Sequence, residues 1–202
     1  MNELPNVDIV ITTIGRPSLS VAIEAALSQT YQGARCVVVA DGQRDCTDAI
    51  VARYKDRVKY VETPKPLRRA GNGAKEFWYN SDECAPFFRY LDDDDWMPNC
   101  SIMEQMKLMK DGVVLSVCKM RMLITNPEGV VRERSLSGKM KVGQIGNGSV
   151  VVRKAAVKGI LYEYIPYSDF YWIKAIAERG ELVRSPYHLY WYNQEDKHGV
   201  LR

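Results

Sequence analysis

Apolar residues along this chain fall into blocks of two kinds, β-branched runs of five to seven and stretches where they recur every three or four positions. Val7-Asp8-Ile9-Val10-Ile11-Thr12-Thr13 is the first β-branched run and reads as a buried strand. Pro17 and Ser18 introduce a helical pattern with Leu19, Ala22, Ile23, Ala26 and Leu27 on one face. Cys36 to Ala40 is a second core strand, stopped by the Asp41-Gly42 turn. Asp45 is placed to cap a helix through about Lys55, and Val58 to Glu62 forms a third strand before a Pro- and Arg-rich loop. Ala74 to Asn80 reads as helix and Phe87 to Leu91 as a fourth strand. Asn99 is a cap for a helix carrying Ile102, Met103, Met106 and Met109.

The second half is less regular. Val113 to Thr125 reads as a strand that turns at Asn126-Pro127-Glu128-Gly129 into Val130-Val131-Arg132. Residues 135–148 are rich in Gly, Ser and Lys and read as a loop free to move. Ser149 to Arg153 is a further strand, Ser168 or Asp169 opens a helix that Gly180 closes, and residues 187–192 are the last strand. This alternation of strands and helices predicts an α/β fold, a mostly parallel central sheet with helices on both faces. No internal repeat, low-complexity tract or domain boundary interrupts it, so a single domain is expected over 1–202.

Composition narrows the class without naming a function. The 202 residues are 46% hydrophobic and 26% charged, ordinary for a globular domain. A net charge of +3 does not demand a nucleic-acid partner. The five cysteines have no CxxC spacing and an odd count, as expected of reduced thiols in a cytoplasmic protein. Met1 to Pro5 lacks a basic segment leading into an apolar one, and no apolar run could span a bilayer. With only two histidines, His188 and His198, Ser-His-Asp or Cys-His nucleophilic sites are not expected.

The chemistry concentrates where the fourth strand ends, in the four consecutive aspartates Asp92 to Asp95. Such a run is often only a solvated acidic loop. At the tip of a buried strand, however, four like charges oppose folding unless something cationic is held there. A calcium loop fits poorly, because Met97 and Pro98 fall where a ligand and a glycine are needed. A hard divalent ion carrying a phosphate ligand fits better, and strand tips are where open α/β sheets place their ligands.

Four segments in order resemble the family 2 glycosyltransferases, which have the GT-A fold. They are Val7 to Thr13 with Arg16-Pro17, Gln29-Thr30-Tyr31, Val37 to Gly42 with Asp45-Cys46-Thr47, and Leu91-Asp92-Asp93-Asp94-Asp95-Trp96-Met97-Pro98. The likeness is good over about residues 7–110 and fainter from 145 onward. It implies a nucleotide-sugar-binding half over 1–110 and an acceptor-binding half over 111–202. The implied reaction is a metal-dependent, inverting, non-processive transfer of one sugar from a nucleotide-sugar, with UDP-sugar expected, to an acceptor hydroxyl. Mn2+ or Mg2+ suits an all-oxygen site.

The resemblance also implies roles. Asp94 is the expected direct metal ligand, with Asp92 reaching the ribose or a metal-bound water, and Asp93 and Asp95 supporting them. Thr12, Thr13 and Arg16 are expected to face the nucleotide, and Asp41 its base, although Ala40 stands where relatives often carry an acid. Arg69, Gly71 and Gly73 belong to a loop expected to close over the nucleotide; it lacks the Lys-Ser/Thr pair of a P-loop. Asp169 is the candidate catalytic base, with Ser168 replacing the first acid of the usual pair. His198 is a candidate additional metal ligand. The aromatic stretch from Tyr162 to Trp172 is a candidate acceptor platform, part of it core.

Other readings stay open at this level: a nucleotidyltransferase of related fold, or a non-catalytic nucleotide- or glycan-binding module. The acceptor is open among glycan, small molecule, protein and modified nucleic acid, DNA included, and a homo-oligomer is compatible with the sequence. The lack of both a Gln-x-x-Arg-Trp motif and membrane helices argues against a processive synthase.

Overall fold

The computed structural model describes residues 4–42, 44–67, 71–126 and 128–195. The first three strands, β1 (Val7–Thr13), β2 (Ala34–Ala40) and β3 (Val58–Glu62), alternate with α1 (Leu19–Leu27) and α2 (Arg44–Val51). Then come α3 (Asn72–Tyr79), β4 (Phe87–Asp92) and α4 (Ser101–Met106). The second half is β5 (Val113–Thr125), β6 (Val131–Leu136), β7 (Val150–Arg153), α5 (Ser168–Ala177) and β8 (Glu181–Glu195). The strands form one mixed sheet in the order β3-β2-β1-β4-β7-β5-β6, with β8 on β5. The pairs β1/β2, β1/β4, β2/β3 and β5/β8 are parallel, whereas β7 and β6 join antiparallel.

Alternation along the strands divides the core into two layers. Val7, Ile9, Ile11, Cys36 and Val38 pack with α1, α2 and α4 on one face. Val10, Val37, Val39, Phe88 and Tyr90 pack with α3 and α5 on the other. This is the expected α/β/α sandwich. Among the described residues, no helix is long and apolar enough to cross a membrane.

Several boundaries differ from the sequence expectation for local reasons. The helix expected through Lys55 ends at Val51 and is followed by a short 3-10 turn over Lys55–Arg57. It begins at Arg44, so Asp45 lies inside its first turn rather than at its cap. Cys100, not Asn99, precedes α4; the Asn99 carbonyl instead accepts from the Thr30 amide (2.8 Å). The segment expected to be a free loop from residue 135 first completes β6. It then closes on itself, with Gly138 N donating to Gln144 O (2.9 Å) and Ser137 Oγ to Gln144 Oε1 (3.0 Å).

The largest difference is β8, which runs over 15 residues where six were expected. Arg184-Ser185-Pro186 breaks the apolar pattern. The strand absorbs it at an irregularity, since Val117 pairs with Arg184 but Lys119 with His188. Pro186 sits in that interruption, where no ladder donor is required.

Beneath the tip of β4 lies a fully buried cation, Arg89. Its Nε donates to Gly148 O (2.8 Å), Nη1 to Gln105 Oε1 (2.6 Å) and Nη2 to Leu189 O (2.7 Å), while its guanidinium stacks on the Tyr190 ring at 5.4 Å. Burial lowers its pKa, and its hydrogen bonds among the described residues go to neutral acceptors. Arg89 therefore ties β4, α4, β8 and the turn before β7 together by satisfying their acceptors. Arg89→Leu should orphan these acceptors and cost about 3–5 kcal/mol, read as a lower midpoint in urea unfolding. A loss under about 1 kcal/mol would contradict this assignment.

Candidate active site

The parallel register of β1 and β4 pairs Thr12 with Asp92, so both strands deliver their C-terminal ends to one place. β2 arrives beside them, with Ala40 opposite Thr13 and the Asp41 amide donating to Thr13 O (2.9 Å). A cleft of about 310 Å3 opens there. Of the residues expected to bind donor or metal, Thr12, Thr13, Arg16, Asp41, Gly71, Asp92, Asp93 and Asp94 line it, joined by Tyr192 and Asn193. Two larger grooves, of about 520 and 590 Å3, lie elsewhere, and neither gathers such an acidic set.

Each of the four aspartates meets different partners. Asp92 Oδ1 accepts from Lys75 Nζ at 2.9 Å; this lysine is almost fully buried and lies 5.4 Å from the centre of the Tyr90 ring. Asp93 is buried and accepts from Thr13 Oγ1 (2.6 Å) and Arg16 Nη1 (2.9 Å). The same Arg16 nitrogen donates to Asp94 Oδ2 (2.8 Å). Asp95, also buried, accepts from Tyr190 Oη (2.5 Å) and the Asn193 amide (2.8 Å). Burial pushes the Asp94 carboxyl up, against Arg16, which pulls it down, and with Asp93 and Asp92 adding to the rise. Burial and the Asp92 charge hold Asp95 well above the usual carboxylate range.

β8 closes this arrangement from the far end of the chain. Tyr190 Oη also accepts from the Asp92 amide (3.2 Å). Trp96 and Trp191 exchange backbone hydrogen bonds (3.1 and 2.8 Å), their rings meeting edge-on at 5.0 Å. Gly148 makes room for Tyr190: a Cβ on it would stand 2.0 Å from the Tyr190 Cζ.

Asp41 lines the cleft, but its Oδ1 accepts from the Leu67 amide (2.5 Å) and from Thr63 Oγ1 (3.3 Å), anchoring the segment after β3. Gly71, at φ +82, precedes α3 in a conformation that favours glycine, and a Cβ there would come within 3.4 Å of Thr12 Oγ1. Gly73 sits two residues further on, against Leu67, and lines a neighbouring groove instead. Arg69 and His198 lie outside the described residues.

Asp169 is the second residue of α5 and half-buried. Its Oδ1 accepts from the Phe170 amide (2.8 Å). Burial raises its pKa, the Phe170 amide and Lys75 pull it down, and Asp92 pushes it up again, so Asp169 feels the Lys75–Asp92 pair electrically. Ser168 Oγ accepts from Asn72 Nδ2 (2.9 Å), which ties the start of α5 to the start of α3. The aromatic stretch divides: Tyr162 and Trp172 stack in the core at 4.7 Å, while Tyr164, Tyr167 and Tyr171 are exposed.

Sequence reasoning placed Lys75 only at the end of the loop expected to close over the nucleotide, without pairing it to an aspartate, and gave no role to Tyr190, Tyr192 or Asn193. Lys75 follows the glycine-rich loop, where a helical lysine looks like surface. The others lie about a hundred positions from the aspartates, in a run that announces only a strand.

The pair of cleft-facing carboxylates, Asp92 and Asp94, suits a cation that takes one or two protein oxygens and fills its remaining positions with phosphate and water. Among the described residues, no group of three or more His, Cys, Asp or Glu is arranged to hold an ion.

Comparison with curated protein sequences gives no significant match. Among solved structures, Staphylococcus aureus TarS 1-349 in complex with UDP-GlcNAc superposes with a TM-score of 0.73 at 14% identity, over 94% of this chain and 58% of that one. The mannosyltransferase PcManGT from Pyrobaculum calidifontis, in complex with GDP-Man and Mn2+, gives 0.70 at 14% identity, over 93% and 56%. GalNAc-T7 with UDP, GalNAc and Mn2+ gives 0.68 at 11% identity, over 98% and 45%. This chain thus spans only about half the length of these proteins, which share its fold. Residues 8–157, most of the chain, match the family described as Glycosyl transferase family 2, and the chain belongs to that family.

Proposed function

We propose that the chain transfers a single sugar from a nucleotide-sugar, UDP-sugar first among the candidates, to an acceptor hydroxyl, with inversion and with Mn2+ or Mg2+. One observation carries the reading: Asp92 and Asp94 open onto the same cleft as Thr12, Thr13 and Asp41, within electrical reach of Asp169. The TarS, PcManGT and GalNAc-T7 structures support it in part, since their nucleotide or nucleotide-sugar ligands are bound on the same fold, two of them with Mn2+.

In this reading residues 1–110 hold the donor and residues 111–202 serve mainly the acceptor, with β8 returning to line the donor cleft. A bound divalent ion supplies charge neutralisation for the departing diphosphate. Asp94 holds that ion, with Asp92 beside it. Lys75 keeps Asp92 in place and adds a buried positive charge where negative charge collects on the leaving group. Asp169 takes the proton of the acceptor hydroxyl, and its raised pKa improves it as a base. The exposed Tyr164, Tyr167 and Tyr171 flank that end of α5 and suit a sugar face.

The governing experiment is a thermal-shift and calorimetry panel of UDP-, GDP- and TDP-sugars with and without Mn2+. One nucleotide-sugar should raise the melting temperature in a metal-dependent way. Asp94→Asn should abolish the metal-dependent part. If no nucleotide binds, the reading is wrong.

With donor and acceptor in hand, Asp169→Asn should lower kcat by about 100-fold or more and leave donor affinity unchanged. The base works only when ionised, so activity in the wild type is lost as pH falls through its raised pKa. The acid limb should therefore lie above the ordinary aspartate value of about 3.9. A limb at or below that value would remove Asp169 from the role. Tyr190→Phe should cost about 1–2 kcal/mol of stability and weaken donor binding, because it frees the Asp95 carboxylate and the Asp92 amide together. Unchanged donor affinity in that variant would show that β8 only packs against the acidic turn.

A further inference from the structure

We propose that Arg16 makes metal binding conditional on the nucleotide: it holds the Asp94 carboxylate and transfers that contact to a phosphate when the donor arrives. The inference rests on the proposed function, since it takes Asp94 as the metal-holding carboxylate.

Three observations carry it. One guanidinium nitrogen, Nη1, donates to both Asp93 Oδ1 (2.9 Å) and Asp94 Oδ2 (2.8 Å), so both of its hydrogens are used on the acids. The two contacts differ in burial: the Asp93 side chain is 4% exposed and also held by Thr13, whereas Asp94 is 42% exposed. A buried charge pair resists separation, while an exposed one is worth at most about fivefold in an equilibrium constant. Arg16 therefore keeps Asp93 and gives up Asp94 easily. The segment behind it is fixed as well, with the Gly15 amide donating to Thr13 Oγ1 (2.9 Å), so the exchange needs only side-chain movement.

Without a nucleotide, Arg16 partly neutralises the carboxylate a metal ion would use, and the ion alone must displace it. With a diphosphate present, the hydrogen released from Asp94 faces an anion and forms a charge-assisted bond to it. Arg16 thus disfavours the ion alone and favours the ion with nucleotide. No chemical bond is made or broken in this exchange.

The test is calorimetric binding of Mn2+ alone and of the Mn2+ complexes of UDP and GDP to wild type, Arg16→Gln and Arg16→Lys. Lysine keeps the charge but cannot hold Asp93 and a phosphate through one forked group. Both variants should bind Mn2+ alone about three- to fivefold tighter than wild type, and the preferred nucleotide complex about tenfold weaker. If Arg16→Lys matches wild type in both titrations, charge alone is responsible and the exchange is overturned. It is equally overturned if Arg16→Gln does not tighten Mn2+ alone. Asp94→Asn separates the two levels: if it still binds Mn2+ as the wild type does, the metal role of Asp94 fails and the exchange with it. If it loses Mn2+, that role stands and the Arg16 variants decide.

Discussion

Four adjacent carboxylates cannot sit at the end of a buried strand unless each is compensated separately, and the architecture follows from how this is done. Lys75 on α3 meets Asp92, Thr13 at the end of β1 and Arg16 meet Asp93, Arg16 reaches on to Asp94, and β8 takes Asp95. Elements from opposite ends of the chain are thus drawn to the tip of β4. The repulsion that opposes folding becomes the reason why the cleft has walls. The compensation is unequal. Asp93 and Asp95 are buried and fully engaged, while Asp92 and Asp94 remain about two-fifths exposed, each paired with one cation among the described residues, which makes these two the carboxylates suited to the proposed ligand.

The support extends one level deeper. Arg89 lies three strand positions before the first of the acids, and among the described residues it has no carboxylate of its own. A buried guanidinium without an anion is tolerated because its donors meet good acceptors and its face meets the Tyr190 ring. Tyr190 in turn reaches Asp95 and the Asp92 amide, and Gly148, whose carbonyl Arg89 holds, is the one residue small enough to lie under that ring. Core stability and the posture of the acidic turn therefore share one set of contacts, and a substitution at Arg89 or Gly148 acts on both.

The legibility of this arrangement divides along the same lines. Strands β1 to β4 could be read to within a residue or two because each is a continuous apolar run, and the acids stood out because four like charges in that position need a cause. The family resemblance rested on these same segments. β8 was largely invisible: Pro186 and the irregularity around it erase the alternation that marks a strand. Its functional part, Tyr190 to Asn193, gains meaning only from aspartates about a hundred positions away. Lys75 failed to stand out for a related reason. A lysine in a helix reads as surface, and only the packing of α3 over Tyr90 turns it into a buried partner for Asp92.

Ser168 shows how the same electrostatics can explain a departure from the family pattern. An acid there would add negative charge next to Asp169, which burial and Asp92 already push toward the protonated form. Serine avoids that charge, and its hydroxyl accepts from Asn72, fastening α5 to the helix whose Lys75 pulls Asp169 the other way. The residue at position 168 thus keeps the neighbouring carboxylate closer to ionisation while tying its helix to α3 beside the acidic cleft. The chain concentrates negative charge at the tip of β4, where Lys75 and Arg16 meet it, and keeps it from position 168, beside a carboxylate that burial and Asp92 already push toward its protonated form.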